Sequence, residues 1–500
     1  MDNEPRIAVI GSGFAGLSSA CYLAQEGFRV DVYEKNETGG GRARKLVTDN
    51  GYTFDMGPSW YWMPDVFEKF FSDFGYTTAH FFELTQLDPG FSVVFGKNEV
   101  IDVPADYQLL ADLFESIEPG SGSRLDSFMA GAEFKYKTGM EKLVYKPGLS
   151  LLEFADADLI RGLFKLQVFS SFSKHVRKYF SDPRLISLME FPVLFLGATP
   201  QDTPALYSLM NYAGLKLGTW YPQGGFDSVI SGMKTVAERL GVKFHYHEAV
   251  EKIETNNDIV SGIITKTGSK AIDGLIAAAD YHHVENRLLK KSERNYDDEY
   301  WDDRIMAPSC LIFYLGVSKK VARLGHHTLF FDADLNQHAN DIFKTPRWPA
   351  DPLFYVCCPS KTDDSVAPKG HENLFILMPL APDSADSEVL RELYFDIIME
   401  RLENYCGTAI RKAVDYKRSY CVSDFISDYN SYKGNAYGLA NTLMQTANLK
   451  PSIKNHQLKN MFYSGQLTVP GPGVPPGIIS GKIAAQQLTK YFHHSHERAI

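Results

Sequence analysis

The chain has 500 residues, 44% of them hydrophobic and 22% charged, with 39 Gly and 25 Pro. That composition excludes a collagenous, mucin-like or wholly disordered chain, and the length calls for about two to four domains. Lys+Arg 51 against Asp+Glu 61 leaves a formal charge of −10, which excludes general nucleic-acid binding, because that rests on neutralising phosphates. The cysteines (Cys21, Cys310, Cys357, Cys358, Cys406 and Cys421) form no Cys-x-x-Cys pair, so neither a zinc ribbon, a thioredoxin-type pair nor a disulfide framework is expected. The start is acidic and runs straight into a strand, without the pattern of a secretory leader. No run approaches the roughly 18 apolar residues a membrane span needs. The expectation is a cytoplasmic protein whose membrane contact, if any, is peripheral.

Arg6-Ile-Ala-Val-Ile10 reads as a buried parallel strand. It opens into Gly11-Ser-Gly13-Phe14-Ala15-Gly16, then a helix through Glu26, then a strand Val30–Tyr33 ending at Glu34. Gly11 suits a tight turn, Gly13 lets backbone approach a pyrophosphate, and Gly16 lets the helix pack on the strand. The helix N-terminus favours phosphate, and Glu34 is placed to accept from a ribose hydroxyl. An acid there argues against a 2′-phosphate and so against NADP. Lys35 follows, and a second glycine-rich turn, Gly40-Gly41-Arg42, has no assigned task in an NAD site. A strand then ends at Gly57-Pro58-Ser59.

Further along, Val229–Leu240 reads as a helix, Val242–His247 and Ile259–Thr265 as strands, and Ala277–Asp280 as a strand end. Asn460–Tyr463 is a strand leading to Ser464-Gly465-Gln466. Pro470-Gly-Pro-Gly473-Val474-Pro-Pro-Gly477 is then a rigid turn with bare backbone before a helix Ile478–Leu488. No second G-x-G-x-x-G follows a strand, so no separate NAD(P)H site is expected. Nor does a Gly-x-Ser-x-Gly string or a thiol dyad stand out.

Over nearly its whole length the sequence resembles the bacterial-type phytoene desaturases, the carotenoid-desaturase branch of the FAD-dependent amine oxidase-like superfamily. The resemblance rests on Gly11–Gly16, Glu34, Gly40–Ala43, Phe54–Trp60, Thr219-Trp-Tyr-Pro-Gln-Gly-Gly-Phe226 and Gly471–Pro475. One departure is Ser464-Gly465-Gln466, where the branch usually has Ala-Gly-Ala or Ala-Gly-Asp. The resemblance implies an α/β flavoprotein with a Rossmann-like FAD domain over 1–90, 222–290 and 420–500. A mixed sheet-plus-helix substrate domain would cover 91–221 and 291–419. It implies FAD held by Gly11, Gly13, Phe14, Ala15, Gly16, Glu34, Lys35, Gly40, Gly41 and Arg42, with Gly57, Pro58 and Ser59 passing the flavin ring. Val250 would lend backbone to the adenine, and Gly465, Gly473 and Val474 would close the site. It also implies phytoene desaturation toward lycopene, by hydride transfer to the flavin and proton loss, and flavin reoxidation by a quinone or oxygen. Water or a carboxylate would take the proton, and no catalytic side chain is identified. A carotenoid isomerase, a desaturase of hydroxylated or glycosylated carotenoids, a carotenoid oxygenase and a non-enzymatic isoprenoid-binding escort protein are the other readings.

Two stretches stand apart. Arg161–Arg184 carries six Lys or Arg against Asp182 alone, a local net charge of +5, with Phe164, Phe169, Phe172 and Phe180 interleaved. A basic, aromatic helical stretch suits an anionic membrane surface. Histidines pair at His282-His283, His326-His327 and His493-His494. They lack metal-ligand context and read as exposed, so no metal is expected.

Overall fold

The computed structural model describes residues 4–96, 99–150, 153, 170–442 and 444–497. A five-stranded, all-parallel sheet has the order Met461–Tyr463, Gly274–Ala277, Arg6–Ile10, Arg29–Tyr33, Lys243–His245. Its strands Arg6–Ile10, Gly274–Ala277 and Met461–Tyr463 are short, largely buried apolar runs, as parallel strands covered by helices must be, while the edge strand Lys243–His245 is partly exposed. One cover is the first helix, Phe14–Gln25, whose first ten residues are all buried. It is held between the sheet and the closing helix, Val474–Glu497. Gly481 makes that second contact close: a Cβ there would lie 2.3 Å from the Ala15 carbonyl oxygen. Ser18 Oγ donates to the Ile478 carbonyl at 2.6 Å, and Ser19 Oγ to that of Gly481 at 3.1 Å.

Between the strands Lys243–His245 and Gly274–Ala277 the chain makes a three-stranded antiparallel sheet, Val250–Asn256, Ile259–Thr265 and Gly268–Ala271. Asn257, at φ 56°, takes the left-handed turn position that asparagine tolerates.

The larger sheet has seven strands in the order Val414–Tyr420, Ser309–Val317, Glu372–Leu380, Phe354–Cys357, His327–Phe330, Phe91–Gly96, Glu99–Val103. All pairs are antiparallel except His327–Phe330 with Phe91–Gly96. The period-2 alternation of strands gives it two buried faces. Leu311, Phe313, Leu315, Ile376 and Met378 pack with Phe395, Ile398 and Leu402 of the helix Glu388–Cys406. Cys310, Ile312, Tyr314, Tyr355 and Phe375 face the other way, into the core shared with the parallel sheet.

Local boundaries differ from expectation in instructive places. The helix read from Val229 begins at Phe226, directly after Gly225 at φ 78°, and the strand Val242–His247 shrinks to Lys243–His245. The closing helix starts inside the proline run, at Val474; Pro475 and Pro476 fit because the first helical turn needs no N–H donors. The described part of the basic stretch is two short helices, Phe172–Val176 and Pro183–Glu190, capped by Ser171 and Asp182. Phe172 and Phe180 are buried, so they are core residues and not a membrane face. Arg161–Phe169 lie outside the described residues.

Glu285 is fully buried beneath the parallel sheet, accepting from Tyr463 Oη at 3.0 Å and from the Asn295 and Tyr296 amides at 2.7 and 3.2 Å. Burial raises its carboxyl to about 7, against these donors and the Arg294 charge. Folding therefore favours its protonated form. Its stabilising contribution is complete below about pH 4.5 and is lost as pH rises through about 7. Each tenfold change in proton affinity corresponds to about 1.4 kcal/mol, so the loss amounts to about 3 kcal/mol. Glu285→Gln should gain stability relative to wild type by about that amount between pH 4.5 and 8.5. Urea unfolding midpoints of both proteins across that range check it, and parallel pH profiles would refute it.

Candidate active site

The first strand ends at Gly11, whose φ of 97° makes the turn and whose would-be Cβ meets the Ala278 carbonyl oxygen at 3.2 Å. Gly13 then faces Gly41 across a narrow gap: a Cβ on Gly41 would come within 3.2 Å of Gly13 Cα. The two glycine turns thus form opposite walls of one backbone cradle. The closing helix brings a second N-terminus to the same place, since Gly477 lies against Phe14 and Ala15, with the Ala15 amide 4.0 Å from a Cβ built there. Two helix N-termini with bare backbone between them favour an anionic group.

Glu34 is almost fully buried at the end of its strand. Its Oε2 accepts from the Ser12 amide at 3.0 Å and Ser12 Oγ at 2.8 Å, and its Oε1 from the Asn36 amide at 2.9 Å and Asn36 Nδ2 at 3.0 Å. Arg42 donates through Nη2 to Ser431 Oγ at 2.8 Å and the Asn435 carbonyl at 3.2 Å, and lies over the Tyr429 ring at 5.1 Å. Its Nε is buried with no partner among the described residues. Burial holds the guanidinium below its usual range. Asp280, at the end of the strand Gly274–Ala277, is raised to about 6 by burial, although the His283 and Tyr432 amides donate to it and Arg42 opposes the shift.

These groups line one cavity of about 1190 Å³. Gly11, Gly13, Phe14, Ala15, Glu34, Lys35, Gly40, Gly41, Arg42, Gly57, Pro58, Ser59, Val250, Gly465, Gly473 and Val474 all reach its wall. Gly16 does not: a Cβ there would sit 1.9 Å from the Gly11 carbonyl oxygen, so it is a packing residue behind the cradle. Lys35 lines the wall, but its ammonium is turned to the Ser427 carbonyl at 2.6 Å and Asn430 Oδ1 at 3.3 Å. The Gly465 amide is likewise committed, to Ser480 Oγ at 2.9 Å, so what this residue offers is a bare backbone face.

Sequence reasoning missed Ser12, Asn36, Asp280 and Tyr429. An acid at the end of a parallel strand was a readable signal for Asp280; nothing local marks Tyr429. It also missed the far end of the cavity. Beyond Gly57–Ser59 the wall becomes apolar, with Trp60, Trp62, Met63, Phe191, Leu329, Leu353 and Leu377, together with Leu335, Ala339 and Ile342 of the helix Leu335–Phe343. The motif Thr219–Phe226 is absent from the cavity wall. Its Tyr221 hydroxyl and Gly224 amide instead bond Asp363 at 3.1 and 2.7 Å, and its Phe226 amide bonds Asp55 at 3.0 Å.

The paired histidines differ from one another. His493 and His494 are exposed as expected and His282 and His283 are half-buried, but His326 and His327 are buried, at 6% and 1% exposure. His327 opens a strand of the larger sheet with His326 just before it; Tyr221 lies 4.7 Å from the His326 ring and Trp60 stacks on that of His327.

The flavin containing amine oxidoreductase family matches residues 14–489, and the chain belongs to it. Among curated relatives, it is 41% identical over 486 residues to the carotenoid 3,4-desaturase of Haloarcula japonica, covering 96% of this chain and 97% of that protein. It is 29% identical over 496 residues to the zeta-carotene-forming phytoene desaturase of Myxococcus xanthus, covering 98% and 94%. Within the family the chain lies in the carotenoid-desaturase branch, and its cofactor is FAD. An oxidoreductase from Methanosarcina mazei shares the fold, with a TM-score of 0.61 at 17% identity over 96% of this chain and 100% of that one. So does the cyclohexylamine oxidase of Brevibacterium oxydans IH-35A, at 0.59 and 14% over 98% and 100%. The Gly13–Gly41 cradle, the converging helix N-termini and the unpartnered Arg42 Nε fit the pyrophosphate of such a cofactor.

Proposed function

We propose that this protein desaturates a carotenoid at its 3,4 carbon–carbon bond, with FAD held by the cradle and the substrate in the apolar arm. The observation that carries this reading is the single cavity, which runs without a partition from the nucleotide cradle to a wall of aromatic and aliphatic side chains. The choice of bond is supported by 41% identity to a 3,4-desaturase against 29% to phytoene desaturases. We also propose the domain partition stated from sequence, supported by the five parallel strands falling within 1–90, 222–290 and 420–500.

Bound FAD supplies an acceptor for a hydride from the saturated bond. The chain does the rest. Gly13, Gly41 and the two helix N-termini would seat the pyrophosphate, Glu34 would accept from the ribose, and the Val250 backbone would meet the adenine. Gly57 lets its turn press on the Arg42 backbone, where a Cβ would come within 2.6 Å of the Arg42 carbonyl. Trp60, Met63 and Leu377 exclude water and align an extended hydrocarbon. A quinone or oxygen would accept the electrons afterwards.

The test is expression with FAD in cells making phytoene and, separately, in cells making a carotenoid saturated at the 3,4 bond, with pigments read by mass and absorbance. Loss of two hydrogens from the second substrate alone supports the reading. Conversion of phytoene alone supports the second reading, that of the phytoene-desaturase relatives. Gain of oxygen or an unchanged mass would mark an oxygenase or isomerase.

FAD should be held without a covalent bond. Among the described residues the cavity wall carries one thiol and three imidazoles: Cys310 is kept protonated by burial, both nitrogens of His338 are bonded, to the Leu353 amide and the Pro379 carbonyl, His283 Nε2 is 3.3 Å from Asn430 Nδ2, and His282 packs on the Tyr432 ring at 3.9 Å. Acid precipitation should release all the flavin into the supernatant; flavin remaining in the pellet would overturn this.

We further propose peripheral membrane binding, since no described helix is long and apolar enough to cross a bilayer and a carotenoid resides in one. Lys174 and Lys178 are exposed, and each basic residue near an anionic surface contributes about 1 kcal/mol. Lys174→Glu with Lys178→Glu should lower co-sedimentation with anionic liposomes roughly tenfold or more. Arg177 is unsuitable for the test because it pairs with buried Glu190. Undiminished binding would place the docking face elsewhere.

A further inference from the structure

Behind the Trp60 wall lies a group of side chains that the desaturation reading does not use. One ring nitrogen from each of His326 and His327, and the Cys357 sulfur, lie within 4.8 Å of one another, all buried. Backbone pairing sets them there: His327 and Cys357 are directly opposed across antiparallel strands, and His326 precedes His327 at the strand end. Each imidazole bonds the protein through Nδ1, His326 to Thr362 Oγ1 at 2.7 Å and His327 to Tyr355 Oη at 2.6 Å. The Tyr355 hydroxyl donates onward to Ser59 Oγ at 3.0 Å, so it accepts from His327. That leaves the His327 Nε2 lone pair bare. Among the described residues neither His326 Nε2 nor His327 Nε2 has a hydrogen-bond partner.

Two buried imidazole nitrogens without partners are costly in a folded protein. An outer partner on one ring nitrogen with the other left free is the arrangement by which metal-ligating histidines are oriented. Adjacent ligand atoms around a tetrahedral zinc ion are about 3.3–3.7 Å apart, so side-chain rotations of about 1 Å would close the set. Cys357 also borders a cavity of about 10 Å³ that it shares with Asp55, Ser59, Tyr221 and Asn373 and that neither histidine lines, room for about one water molecule on the sulfur side of the set.

We propose that His326, His327 and Cys357 form a binding site for a thiophilic divalent ion of the zinc class, with water in the fourth position. Two imidazoles and a thiolate select such an ion over calcium or magnesium. Binding releases the thiol proton to solvent and changes no oxidation state. Because His327 stacks on Trp60 at 4.2 Å between ring centroids, the ion would brace the wall of the apolar arm.

The test uses the FAD-loaded protein, stripped with chelator and titrated with cobalt(II) chloride. One equivalent should bind, with a sulfur-to-cobalt charge-transfer band and tetrahedral visible absorption, and zinc chloride should displace it. Cys357→Ser should remove the charge-transfer band, and His326→Gln should weaken binding by tenfold or more, with bound FAD unchanged in both. If a variant fails to retain FAD, the wild-type spectrum decides. Absence of stoichiometric cobalt, absence of the charge-transfer band, or a band that persists in Cys357→Ser overturns the proposal. The desaturation reading does not depend on this outcome, because the site contributes no group to the cofactor cradle.

Discussion

Gly16→Val should yield a protein that retains no FAD through gel filtration and melts well below wild type. The expectation rests on contact distances: a Cβ at residue 16 would sit 1.9 Å from the Gly11 carbonyl oxygen and 3.3 Å from Ala278 Cβ. Both obstacles belong to the sheet and its first turn, so no flexible side chain can yield. The first helix must lift from the strand and carry its N-terminal amides away from the cradle. Overpacking costs about 1–3 kcal/mol where side chains can adjust; with backbone as the obstacle the upper figure is the expectation, about a hundredfold in the folding equilibrium. Gly131→Ala is the control, because nothing lies within 4 Å of that helical position, and it should leave both FAD content and melting unchanged or slightly improved. Stoichiometric FAD in Gly16→Val at the wild-type melting temperature would refute the packing role.

Glu34→Ala should weaken FAD binding by ten- to a hundredfold, the equivalent of about 1.5–3 kcal/mol for a charged hydrogen-bonding partner. Four protein donors already occupy the carboxylate, which matches its capacity of about four lone-pair sites. A ribose must therefore take over the places of Ser12 Oγ and Asn36 Nδ2, both of which can rotate away, while the two backbone amides stay. Alanine leaves those amides without partners and also removes the ribose contact. Glu34→Gln keeps one acceptor oxygen and should fall between alanine and wild type. Titration of stripped protein with FAD, followed by flavin fluorescence, measures all three. An unchanged dissociation constant in Glu34→Ala would remove this residue from the site.

The nucleotide half was legible because its signals are local. Gly11, Gly13 and Gly41 are glycines for reasons of turn geometry and close backbone approach, and Glu34 stands at a fixed distance along one βαβ unit. Gly16 was read in both senses, and only the packing sense agrees with its distance from the cavity. The apolar arm was not legible: Leu329, Leu353 and Leu377 come from three separate stretches of the larger sheet and its connections, and in sequence they look like any core residues. The same holds for His326 and His327. A histidine pair has no intrinsic burial preference strong enough to read from sequence, and what encloses these two is long-range packing, strand pairing for His327 and Tyr221 with Thr362 for His326. The Thr219–Phe226 motif shows the converse, since a specific sequence pattern here secures Asp55 and Asp363 without facing the cavity.

The clasp of Ser18 on Ile478 and of Ser19 on Gly481 joins residues some 460 positions apart, and the edge strand Met461–Tyr463 completes the parallel sheet. During synthesis the glycine loop near the start therefore leaves the ribosome long before its partners exist. Contacts of such high sequence separation form late and slowly, so for most of translation the nascent chain carries an unfinished cradle with its sheet edge uncovered. A complete seat for FAD, with both helix N-termini in place, therefore exists only once the closing strand and helix have emerged.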